Sequence, residues 1–165
     1  MAQLSKKEPE ILHLLFYDIC FYTTGNWLIG KILNQTPLNV TFIDWEYCGF
    51  NFAAFDVANH FLEFTGVEEE LDYTNSYPCL PYQQAWVSAY LSEYHSLMGR
   101  EAPKADECEK FLVLVNSCLP CSHLLWAIWA QVQAKISSHE FDFRRVATQR
   151  MREYKKTKKY LKLTN

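Results

Sequence analysis

An α-rich α+β fold is predicted, and three observations predict it. A short run of β-branched and aromatic residues, Val40-Thr41-Phe42-Ile43, stands near the start, and four or five helical segments follow it. The 165 residues are 49% apolar and 16% aromatic, enough to bury one core of ordinary domain size. Five glycines and six prolines are too few for a loop-rich all-β scaffold or a low-complexity linker.

Residues 9–22 are apolar without a clear period and fit a helix or a strand pair, until Thr23-Thr24-Gly25-Asn26 breaks the run. Val40–Ile43, after Pro37, reads as a buried strand ending on Asp44, and a loop with Gly49 follows. The pattern then predicts a helix over 53–65 closed by Gly66, and a second over about 82–98, introduced by Pro78 and Pro81 and ending near Gly99. Pro103 opens a third helix over 104–118. A fourth, over 122–136, repeats Leu124, Leu125, Ile128 and Val132 every three or four residues. Ser137 or Ser138 caps what comes next, and a basic helix over about 145–161 ends the chain.

Charge is unevenly placed. The net charge is −3, yet nine of the sixteen basic residues fall between Arg144 and Lys162. Such a terminus is able to touch an anionic membrane or nucleic acid, but it comes with no aromatic stacking set or nucleic-acid motif, so a solvated last helix and no nucleic-acid partner are expected. The six cysteines are irregularly spaced and read as thiols of a reducing compartment. Cys118-Leu-Pro-Cys121 has redox or zinc spacing, but His123 alone does not supply the second ligand pair that zinc needs.

The first residues imitate a signal peptide only faintly, since Glu8, Glu10 and Asp18 interrupt it. No stretch is expected to reach the 18 or so uncharged apolar residues of a membrane span. A cytoplasmic protein is the expectation, and the formal sequon Asn39-Val-Thr41 is then idle. Gly25-Asn-Trp-Leu-Ile-Gly30-Lys31-Ile32 fits a phosphate-loop spacing but puts Ile32 where Ser or Thr must hold Mg²⁺.

Three groups of residues carry chemistry. Asp56, Asn59 or His60, and Glu63 recur on one face of the 53–65 helix, among aromatics. Asp44 and Glu46 form a carboxylate pair at a strand end, a place that suits hard-oxygen ligation of Mg²⁺. Trp126 and Trp129 share a helix face, and two indoles beside a carboxylate form a receptor for an ammonium group.

The run from Phe42 to Gly66, FIDWEYCGFNFAAFDVANHFLEFTG, resembles the choline/ethanolamine kinase family, whose members carry FIDYEY-x-GYNY-x-AFDI-x-NHF-x-E there. Asp72-Tyr73, Tyr77-Pro78, Trp126-Ala-Ile-Trp129 and the Glu140-Phe-Asp-Phe143 wording continue the likeness to about residue 155, in a form nearer ethanolamine than choline kinases. The resemblance implies a protein-kinase-like C-terminal lobe, mostly helical with a few short strands near the N-terminus. It also implies transfer of the γ-phosphate of ATP, with Mg²⁺, to the hydroxyl of ethanolamine or choline, in phosphatidylethanolamine biosynthesis. By the same likeness Asp44 falls on the family's metal-binding Asp, and Glu63, Trp126 and Trp129 on its amino-alcohol pocket.

Three positions depart from the family. Where its catalytic loop reads HNDLLxGNIL, this chain has Thr24-Gly-Asn-Trp-Leu-Ile-Gly-Lys-Ile-Leu33, so Asn26 stands in the place of the catalytic Asp and Lys31 in that of the metal-binding Asn. Val146 replaces an aromatic after the EFDF-type segment. The expected organisation is one partial domain over 1–165, with a poorly matching segment 1–33 and the basic helix at 144–165. A catalytically inert pseudokinase-type module, forming a homodimer or pairing with a full-length kinase, is the alternative expectation.

Overall fold

A computed structural model describes residues 27–29, 40–42, 51–66 and 70–161. Two short strands, β1 (Trp27–Ile29) and β2 (Val40–Phe42), pair antiparallel, with Trp27 opposite Phe42. Four helices follow: α1 (Ala53–Glu63), α2 (Leu80–Leu97), α3 (Ala105–Ile136) and α4 (Phe143–Thr157), the last running into a 3₁₀ turn at Lys158–Tyr160. The described part is therefore mostly helical. The apolar run 9–22, the break at 23–26 and the loop with Gly49 lie outside the described residues.

α3 is the axis of the molecule and packs against the other three helices. Its Phe111, Leu112, Val115 and Leu119 meet Val57, Phe61 and Leu62 of α1 and Val87 and Leu91 of α2 in one core. Full burial of rings such as Phe61 and Phe111 contributes roughly 2–3 kcal/mol each. Aromatics line the edge of that core. Trp86 and Tyr90 stack with centroids 5.6 Å apart, Tyr90 and Phe111 stack at 5.7 Å, and Phe61 meets Trp86 edge-on at 5.5 Å.

Two expectations change here. The segments 104–118 and 122–136 are one continuous helix with Pro120 inside it. A proline there removes one helical N–H and crowds the carbonyl four residues back. The helix carries on because Pro120 is fully buried and packing holds the turns on either side. Joining the halves leaves an 18-residue window of mean hydropathy 1.7, so α3 is long and apolar enough to cross a membrane by length and composition alone. Half of that window is buried inside the protein, as in the core helix of a folded domain. Finally, the cap of the last helix is Asp142, whose carboxylate accepts from the Arg145 N–H at 2.9 Å, and not Ser137 or Ser138. A carboxylate there also faces the positive end of the helix dipole, which a hydroxyl does not match.

The link from α1 to α2 is built for close approach. Gly66 has φ +104°, a conformation that side chains disfavour, and turns the chain after α1. Asp72 then closes a tight turn by accepting the Thr74 and Asn75 N–H groups at 3.1 and 3.0 Å. The Leu71 N–H donates to Gln149 Oε1 at 3.0 Å, tying this loop to α4. As a result Tyr73 is inserted between α3 and α4.

Candidate functional site

The polar stripe of α1 is buried along its whole length: Asp56, Asn59, His60 and Glu63 are all less than one-tenth exposed. Such groups persist in a core only when bonded or charge-compensated. Asn59 is the best satisfied. Its Oδ1 accepts the Trp126 indole N–H at 3.2 Å and also the Ser122 hydroxyl, which joins α1 to the middle of α3. Glu63 lies one turn beyond Asn59 on the same face. Trp126 and Trp129 meet edge to face with centroids 5.5 Å apart, and Trp129 meets Phe143 in the same way at 5.8 Å. Phe141 adds a fourth ring, 4.8 Å from Phe143. An aromatic wall thus runs from α3 to the start of α4.

Behind this wall sits a cluster that sequence reasoning missed. Arg150 of α4 is only 6% exposed, and its Nε and Nη1 make no hydrogen bond. The guanidinium lies 5.9 Å from the Tyr73 ring centroid, and Tyr73 meets His123 of α3 edge-on at 5.3 Å. Burial raises the Glu63 carboxyl above its usual range, and the Arg150 charge opposes that rise. Burial also lowers His123 to about 3, with Arg150 adding to the effect, so the imidazole is neutral. Tyr73 is raised to about 12 by burial. The neighbouring Thr65 hydroxyl donates to the Leu62 carbonyl at 2.6 Å and keeps its lone pairs on the side of the buried Tyr73 hydroxyl. Glu153, 7% exposed, supplies a second buried carboxylate and is paired with Lys156 at 2.7 Å.

Of the residues named from sequence, Trp126 and Trp129 are in ring contact, and Trp126 is bonded to Asn59, one turn before Glu63 on α1. Asn26, Lys31 and Asp44 lie outside the described residues, as does Glu46. Among the described residues no group of three or more His, Cys, Asp or Glu is gathered as for a metal. Cys118 and Cys121 are free thiols, and burial pushes Cys118 up to about 11, which makes it a poor nucleophile. His123 is a neutral ring packed on Tyr73.

The model of the choline/ethanolamine kinase family matches residues 20–155. The chain belongs to that family. Within it, the chain is 39% identical over 157 residues to ethanolamine kinase of Drosophila melanogaster, an alignment covering 94% of this chain and 29% of that protein. It is 41% identical over 128 residues to human ethanolamine kinase 1, covering 77% of this chain and 28% of the human protein. The fold is similar to that of Plasmodium vivax ethanolamine kinase, with a TM-score of 0.68 at 22% identity over 86% of this chain and 34% of that structure. This family member thus spans about a third of the length of the kinases it matches.

Proposed function

We propose that this chain carries the acceptor-binding half of an ethanolamine-kinase site and holds the ammonium of ethanolamine, or of choline, between Glu63 and the indoles of Trp126 and Trp129. The observation that carries this reading is the Asn59 carbonyl held by Trp126 and Ser122. It fixes one indole of an edge-to-face pair beside the helix face that presents a buried carboxylate. A cation gains from both partners there, because ring faces and a carboxylate attract it more strongly when water is excluded. Both curated relatives named above are ethanolamine kinases, which supports an amino alcohol as the ligand.

The reaction class this reading gives is transfer of a phosphoryl group from ATP to the ligand's hydroxyl. By the family likeness, Asp44 would hold Mg²⁺, which would neutralise charge on the phosphates. Asn26 cannot accept the hydroxyl proton, a loss worth roughly 10²–10⁴ in rate by general-base magnitudes. An ammonium at Lys31 repels a divalent cation. The reading is therefore of a binding-competent chain with weak or no phosphotransfer.

A Mg-ATP phosphorylation assay on ethanolamine tests this, run on the chain and on the double variant Asn26→Asp, Lys31→Asn. The expected result is activity at or near background in the natural chain and a gain in the double variant. Turnover in the natural chain matching that of the double variant contradicts the assignment of Asn26 and Lys31.

A further inference from the structure

We infer that the face shared by α3 and α4 is a docking surface for an anionic lipid bilayer. Leu125, Ile128, Val132 and Ile136 fall at spacings of three and four residues on one side of α3, and are 46%, 55%, 47% and 71% exposed. This apolar strip is about 16 Å long at the rise of a helix. Between Ile128 and Val132 on α3 and Met151 on α4 runs a groove of about 550 Å³, edged by Lys135, Arg152 and Lys155.

Charge selects the occupant. Eleven of the sixteen lysines and arginines lie after residue 109, against three of the nineteen acids, so this last third of the chain is cationic while the rest is strongly acidic. From Lys110 to His139 there is no Asp or Glu. The only carboxylate of α4, Glu153, is buried and paired with Lys156. An exposed apolar strip rimmed by cations of one sign matches an anionic bilayer, where the strip enters the headgroup boundary and long Lys and Arg side chains reach phosphates. Tyr160, 48% exposed beside Lys159 in the 3₁₀ turn that packs on α3, has the amphipathic ring favoured at such boundaries. A second copy would bring two like-charged rims together. Nucleic acid would leave the apolar strip in water. A folded protein partner is set in register by charges of both signs, which this face lacks.

The test is flotation of the full chain with vesicles of phosphatidylcholine alone and of phosphatidylcholine with phosphatidylserine. The expected result is binding only when phosphatidylserine is present, weakened at high salt, and lost in Ile128→Asp with Val132→Asp. Arg152→Gln with Lys155→Gln should weaken it about tenfold or more, at roughly 1 kcal/mol per charge. Leu97→Asp, an exposed apolar position at the end of α2, should float like the natural chain. All four substituted residues on the docking face are exposed or half-buried, and circular dichroism of each variant serves as the folding control. Absence from both kinds of vesicle overturns the inference. So does equal binding to neutral vesicles, binding that survives the two aspartates, or self-association or capture by a soluble acidic amphipathic peptide in place of vesicle binding.

Discussion

Asn59 and Trp126, 67 positions apart in sequence, are joined by a 3.2 Å hydrogen bond from the indole N–H to the Asn59 side-chain carbonyl. The same oxygen takes the Ser122 hydroxyl, so one buried atom satisfies two buried donors on α3. Asn59→Ala leaves both donors in an apolar setting and is expected to cost about 2–4 kcal/mol in urea unfolding. Trp126→Phe removes one donor but keeps a ring in the wall, and should cost less than Asn59→Ala. The reverse order would show that ring packing, and not the shared carbonyl, holds α1 to α3.

The two described glycines with positive φ differ in a testable way. Gly66 sits at φ +104°, outside the left-handed well that other residues visit, whereas Gly99 at φ +65° lies within it. A Cβ at Gly66 meets nothing closer than 3.8 Å, and at Gly99 nothing within 4 Å, so strain and not collision sets both costs. Gly66→Ala should destabilise by about 2–3 kcal/mol, and Gly99→Ala by about 1. Thermal unfolding of the two variants reads the difference, and equal costs would contradict it.

Two buried histidines make stability depend on pH. Burial lowers His60 to about 4 and His123 to about 3, both from 6.5 in the unfolded chain. The unfolded state therefore binds more protons below pH 6.5, and this contribution is complete above that value and lost as pH falls towards the folded values. Glu63, raised above its ordinary 4.5, acts in the opposite sense, because the folded state then holds the proton more tightly. The decline is thus clearest between pH 6.5 and about 5. There each histidine contributes a slope approaching about 1.4 kcal/mol per pH unit. His123→Gln should remove roughly half of the slope, measured by urea unfolding across that window, and an unchanged slope would show that His123 does not titrate on unfolding.

Arg150 opposes the upward push that burial gives Glu63. Removing the cation in Arg150→Met raises the carboxyl further and leaves less of it ionised at a given pH. Ethanolamine binding by this variant should consequently weaken more at pH 6 than at pH 8, while Arg150→Lys keeps most of the natural profile. A uniform loss at both pH values would mean that Arg150 serves only to pack Tyr73.

Local signals made the helices legible: Gly66 after α1, Pro81 in the first turn of α2, and the apolar repeat of α3 each act within a few residues. Pro120 misled for the same reason, since the local rule breaks a helix there and only the buried environment overrides it. Glu63, Trp126 and Trp129 are candidates through a family likeness and a helical spacing, and the spacing of the two indoles does bring them into edge-to-face contact. Tyr73, His123 and Arg150 were not legible, because single residues on a loop, α3 and α4 carry no spacing of their own and meet only once the chain has folded. Asn59 stood among the residues of a visible stripe, but its bond to Trp126 spans most of the described chain.

The most direct measurement is tryptophan fluorescence during titration with ethanolamine. A saturable change that is lost in Trp126→Ala and weakened by about tenfold or more in Glu63→Gln is expected, since a charged partner contributes at least that much in a water-poor site. No saturable change in the natural chain, or one that persists undiminished in both variants, would contradict the claim that Glu63 and the two indoles hold an ammonium group.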